Sequence, residues 1–362
     1  MKNTLLLIPL AMLGLASCSD DVSTSVNLGD AIEFRPAMGS FTRASETTNA
    51  NLNDMNVTAF LGDTKFFENV NFAKGNDGFY TSQHNYLWPA DNSQLTFYAY
   101  SADIDNLNGT LTWDATSKKL ENATIPDEIA DQIDFITATA TGTKDNNETA
   151  GVPLTFNHQL SQIELQAKSD TQDYTVEVSA IRIGRAEYMG TFDFTTSEWT
   201  LDEWHDKAVY DSSLSSPVTL SATPVSIMGD SGNAMLLPQK LTPWSPKGDP
   251  DNAARGSYLS VLIKITTPEG VVLYPYPSDT KLDSNGQKRE YAWASIPIDT
   301  KWEAGKKYIY TLDFTHGGGN VDPDDPTPGK EVLGGPIKYT VNVVDWVNTP
   351  TDISMEAITK IY

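Results

Sequence analysis

"SQLTFYAYSA", Ser93 to Ala102, is a short aromatic run in which apolar and polar side chains alternate. A period of two puts successive side chains on opposite faces, and the density of Tyr, Phe and Thr favours an extended chain, so the stretch reads as a strand. Working outward, "MNVTAFLGD" is a second strand, and "KFFENVNFAKGNDGFYTS" is a hairpin turning at Gly75-Asn76-Asp77-Gly78. The same pattern returns in "QIDFITATA", "SQIELQAKS", "YTVEVSAIRIG", "YMGTFDFT", "NAMLLPQ", "SYLSVLIKITT", "GVVLYPY", "REYAWASIPI" and "KKYIYTLDFT". Strands that recur every ten or so residues between turn residues predict an all-β chain of antiparallel sandwiches, each with one buried face.

Helical signals are weak. "DEIADQ", Asp127 to Gln132, spans little more than a turn, and only a few short helical turns are expected in the loops. "NLNGTLTWDATSKKLENATIP" and "DKAVYDSSLSSPVTL" read as a hairpin or long loops. With 362 residues the chain suits two domains, each burying its own core, and a change of domain falls between Gly151 and Asp170. The expected division is 44–157 and 158–315.

The formal charge of −23 repels phosphate backbones and anionic lipid headgroups, which excludes nucleic acid and a peripheral membrane surface as partners. Cys18 is the only cysteine, so no disulfide can form within the chain. It closes the run "TLLLIPLAMLGLA", which is too short for a transmembrane helix and is interrupted by Pro9; residues 1–17 read as a secretory signal. Behind it, "SDDVSTSV" is a solvated tether.

Towards the C-terminus, "HGGGNVDPDDPTPGKEVLGGP", His316 to Pro336, is rich in Gly, Pro and Asp and reads as a linker. The appendage after it, 337–362, is strand-like again. Ile337, Tyr339, Val341 and Val343 alternate onto one face ahead of Trp346, and Ile353 and Met355 do so later, followed by Ile361. A pair of strands following two complete domains must bury this face on its own chain or on another.

No motif carries catalysis: there is no Gly-rich phosphate loop, zinc-ligand cluster or nucleophile elbow, and no cofactor or metal is expected. His158 reads as a structural histidine, and Trp88-Pro89 and Trp302 read as caps on sandwich cores in preference to sugar platforms. Asp322, Asp324 and Asp325 could hold calcium weakly, but the prolines break the ligand spacing of an EF-hand loop, and a solvated acidic linker is the better reading.

Several stretches resemble a known family. Ala16 and Ser17 directly before Cys18 resemble the lipobox of bacterial lipoproteins, where cleavage precedes a cysteine that carries the lipid. "FTRAS", "YLWPADNSQLTFYAYSA", "VPLTFNHQLSQIELQA", "AMLLPQKLT", "WEAGKKYIYTLDF" and "YTVNVVDWV" resemble, in order, the fimbrillin-like lipoproteins of Bacteroidetes, the type V pilins. The resemblance implies two tandem transthyretin-like antiparallel β-sandwich domains and assembly by strand donation. It implies a lipid anchor on Cys18 and the outer membrane, a cut by an arginine-specific or trypsin-like protease, and a C-terminal donor strand.

On this sequence, residues 18–43 become a pro-segment whose plug strand "AIEFR" buries Ile32 and Phe34, and the cut falls between Arg43 and Ala44. Arg35 is the competing site, but Pro36 after it blocks most trypsin-like cleavage. The partners implied are other pilin subunits, the protease and a surface receptor. The alternative is a monomeric or pilus-tip adhesin, a glycan-binding surface lipoprotein.

Overall fold

The computed structural model describes residues 31–38, 51–245, 250–325, 327–346 and 358–360. Its first half contains β1 (Phe34–Met38), β2 (Asp54–Leu61), β3 (Thr64–Lys74), β4 (Tyr80–Ser82), β5 (Leu95–Ser101), β6 (Thr110–Trp113), β7 (Lys118–Thr124), β8 (Ile136–Gly142) and β9 (Val152–His158). The second half contains β10 (Ser161–Lys168), β11 (Thr175–Ala186), β12 (Met189–Asp193), β13 (Glu198–Leu201), β14 (Ala208–Thr219), β15 (Val225–Ser226), β16 (Ala234–Leu236) and β17 (Tyr258–Thr266). It continues through β18 (Val272–Tyr274), β19 (Ala292–Pro297), β20 (Lys306–Asp313), β21 (Asn320–Val321), β22 (Lys338–Asp345) and β23 (Ile358–Lys360). The all-β reading holds. Helix is confined to short turns, among them α1 (Lys144–Asn147), α2 (Pro250–Arg255) and a 3-10 turn at Ile129–Asp131 within "DEIADQ". "DKAVYDSSLSSPVTL" is neither hairpin nor loop but the single long strand β14.

In the first half the strands follow the order β1-β4-β3-β2-β5-β8-β9, and β1 also bonds to β9, so the sheet closes into a barrel. Its interior is filled by Phe34, Met55, Val57, Phe72, Leu95, Phe97 and Leu154. β3 and β4 form the hairpin at Gly75–Gly78, with Phe72 opposite Ser82.

The second half has two sheets, β15-β10-β20-β22-β23 with β16 on β10, and β14-β11-β17-β19-β21 with β18 on β17. Ile163, Leu165 and Tyr310 of the first sheet meet Ile181, Ile183, Leu259 and Ile263 of the second in one core. Most pairings are antiparallel. Two are parallel, β1 with β9 and β10 with β20, which a count of alternating strands does not reveal because the partners lie far apart in the chain.

A further four-stranded sheet, β13-β12-β7-β6, draws one hairpin from each side of the expected 157/158 division. Beneath it Trp113 packs on Phe194 at 4.7 Å and stacks on Tyr100 at 5.8 Å, and Phe135 meets Phe192 edge-on at 5.1 Å. Each fully buried aromatic contributes about 1.5–3 kcal/mol through area alone, so this cluster ties the halves firmly together.

Residues 316–336 differ most from expectation. They are folded onto the second half, with Val332 in the core, β21 on the edge of β19, and Gly318 and Gly319 exchanging backbone hydrogen bonds with Val332. The glycines serve close approach here: a Cβ on Gly317 would lie 2.3 Å from the backbone of Gly335.

Asp322 and Asp325 are not solvated either, although Asp324 is exposed. Asp322 is 2% exposed, accepts from the hydroxyls of Ser260 (2.6 Å) and Ser295 (3.1 Å), and lies 3.6 Å from Arg182. Asp324 pairs with Arg185 at 3.3 Å, and Asp325 with Lys281 and Arg289. Cations from β11 and from the loop after β18 thus clamp a segment that composition alone presents as loose.

Asp322→Ala removes the acceptor shared by two buried serine hydroxyls, which keep only their bond to each other, while Arg182 keeps its bond to Asp211. The one hydroxyl proton left without an acceptor decides the effect, and a loss of about 1–3 kcal/mol is expected in urea denaturation.

Candidate strand-exchange site

β1 is held on both sides. Its five residues run parallel to Val152–Phe156 of β9, while on the other side only Phe34 is registered with β4, opposite Tyr80. Ahead of it, Ile32 N–H donates to Tyr86 O at 2.8 Å, and Glu33 O accepts from Val152 N–H at 2.8 Å. Ile32 is 2% exposed and Phe34 fully buried, the latter edge-on to Phe72 (4.8 Å) and Phe97 (5.1 Å). Pro36 within the strand has no N–H to give, but the bond from Val152 N–H to Glu33 O sets a parallel register in which position 36 faces away from β9, so the missing donor falls on the side where pairing with β4 has ended. The strand therefore contributes two large core side chains, about 1.5–3 kcal/mol each, through a hydrogen-bond ladder that is long on one side only.

Glu33 is buried beside these residues. Desolvation, reinforced by Asp77 and opposed by Arg35, raises its carboxyl above the ordinary 4.5. The folded protein then keeps a proton that the unfolded chain has released, so stability falls as pH rises through the interval above 4.5. Thermal melts of Glu33→Gln should lose this part of the pH dependence and show a higher Tm than the parent above that interval; equal slopes would remove Glu33 as its source.

At the other end of the chain, β22 lies antiparallel along the whole of β20, from Lys338 opposite Asp313 to Asp345 opposite Lys306. Ile337, Tyr339 and Val341 are buried, whereas Val343 is 40% exposed, so the apolar face stops short of the strand end. Trp346 resumes it: its ring stacks on His158 at 4.0 Å with only 7° between planes, and its backbone N–H donates to Gly305 O. His158 Nδ1 lies 2.8 Å from Asp134 Oδ1, so this buried histidine joins β9, the start of β8 and the C-terminal strand. The sequence gives no sign of that junction. β23 adds three residues to the edge of β22.

Trp88 packs edge-on against Phe97, and Trp302 is buried with Nε1 donating to Tyr310, both in cores. Cys18, Arg43, Ala44, Ile353, Met355 and Ile361 lie outside the described residues. The other five of the chain's six arginines are all engaged. Arg35 lies over Phe79 at 3.9 Å, and Arg182 bonds Asp211. Arg185 reaches Ala253 O, Arg255 holds the carbonyls of Glu203 and His205, and Arg289 pairs with Asp279 and Asp325. Among the described residues no cluster of His, Cys, Asp or Glu could hold a metal ion, and no helix is long and apolar enough to cross a membrane.

The described chain is thus all-β, with a strand near each of its ends laid into a sheet. The chain belongs to the fimbrillin-like family, whose profile matches residues 42–346. A fimbrial protein from Bacteroides vulgatus has a similar fold, at 16% identity and a TM-score of 0.54, over 87% of this chain and 99% of that one. The fimbrial anchor protein Mfa2 from Porphyromonas gingivalis is more distant, at 12% identity and a TM-score of 0.32, over 88% of this chain and 98% of that one. No curated protein matches the chain. The family is one of fimbrial and adhesion proteins of the cell surface, structural in kind.

Proposed function

We propose that the chain is a structural subunit of a fimbria, exported as a lipoprotein acylated on Cys18, cut between Arg43 and Ala44, and joined to its neighbours by strand exchange for adhesion. One observation carries the reading: among the described residues β1, which closes the barrel with Ile32 and Phe34, is the only barrel strand that precedes Arg43. A cut there severs the covalent link to β2 and leaves β1 held by side-chain burial and hydrogen bonds. Its departure would expose the edges of β9 and β4 as a groove for β-augmentation.

The donor is the 337–362 segment, with Ile337, Tyr339, Val341 and Val343 as its alternating face. The engaged state of the other five arginines supports a single cut by an arginine-specific protease. Limited digestion followed by intact-mass analysis is the test: one new N-terminus at Ala44 is expected, and primary cleavage at Arg182, Arg185, Arg255 or Arg289 would sink the assignment.

A further inference from the structure

Trp204 is 95% exposed, by far the barest of the large apolar side chains among the described residues, and it stands at the tip of the turn between β13 and β14. This turn is not a loose one. Arg255 of α2 donates to the carbonyls of Glu203 (3.0 Å) and His205 (3.2 Å), on either side of the tryptophan, and Asp202 pairs with His205 at 3.1 Å. The indole is thus presented to solvent by a braced turn.

The same turn, through Leu201, Glu203 and Lys207, forms one wall of a cleft of about 530 Å3 whose opposite side is built by α2 and the chain around Gln239. Its floor is fixed: Glu187 pairs with Lys207 at 3.2 Å, and the Gln239 amide is spent on the backbone of Glu187. Three carboxylates, Glu187, Glu203 and Asp251, share the cleft with three cations, Lys207, Lys240 and Arg255. On a chain of net charge −23 this balance is local and unusual.

An exposed aromatic face beside a cleft with donors and acceptors of both signs but no net charge suits a neutral polyhydroxylated ring. The apolar C–H face of a pyranose covers the indole, and its hydroxyls exchange hydrogen bonds with carboxylate and cationic side chains. An acidic glycan stacked on the indole would meet the carboxylates of Asp202, Glu203 and Asp206 on the same turn, which favours the neutral class. We propose that Trp204 and the adjoining cleft form a binding site for neutral glycans, independent of strand exchange.

The test uses the uncut chain on an array of neutral and acidic hexopyranose oligosaccharides, followed by calorimetric titration of the best neutral oligosaccharide. Saturable binding to neutral glycans is expected, with at least a tenfold loss of affinity in Trp204→Ala and a smaller loss in Trp204→Phe. The side chain touches almost nothing, so the variants should melt like the parent. No binding, binding of acidic glycans alone, or equal affinity in Trp204→Ala would overturn the site. Because uncut protein is used, these outcomes are separate from the fate of the strand-exchange reading.

Discussion

Protein cut after Arg43 should pass from monomer to a ladder of oligomers, while the uncut chain stays monomeric on size exclusion with light scattering. Before the cut, β1 is tethered to its own barrel, and the fifteen residues between Met38 and Asp54 set an effective concentration on the order of millimolar that a free competitor does not match. The cut removes that advantage. What remains is burial of Ile32 and Phe34, together about 3–6 kcal/mol, and a ladder that is long on one side only. A strand of eight or more residues with several apolar anchors out-competes it once both are untethered. Cut protein that stays monomeric after loss of β1 would rule out assembly through this groove.

Val343→Asp should abolish that assembly while leaving the monomer intact. In the monomer Val343 is already 40% exposed near the end of β22, so a carboxylate there costs only about 1 kcal/mol of stability. In a neighbour's groove the residue alternates with Ile337, Tyr339 and Val341, and the buried charge costs several kcal/mol. The comparison separates donation from folding, which deletion of 337–362 does not, since deletion also strips Tyr339, Val341 and Trp346 from the parent's own sheet. Normal oligomers from a normally folded Val343→Asp protein would show that β22 is not the donor.

The strands were legible because each must alternate to bury one face, and this constraint is local: "SQLTFYAYSA" contains β5 and "SYLSVLIKITT" contains β17. Closure of the barrel was not legible, since the partner of Phe34–Met38 is the distant Val152–Phe156 and parallel pairing leaves no turn between them to read. Residues 316–336 looked like a linker because glycine has two uses, freedom and close approach, that give one composition; only contact with Gly335 and Val332 tells them apart. The acidic run beside them looked solvated because its cations, Arg182, Arg185, Lys281 and Arg289, lie far off in the chain. Among eight tryptophans, nothing in the letters sets the exposed Trp204 apart from Trp88 or Trp302 in their cores.

The sheet that takes β6 and β7 from one half and β12 and β13 from the other has a mechanical consequence. Tension along the molecule is shared by the ladder between β7 and β12 and by the aromatic layer beneath it, not by the short peptide between β9 and β10 alone. A rod assembled from such units by the proposed strand exchange would be stiff within each unit, and its bending and first breakage under flow would fall at the joints between neighbours.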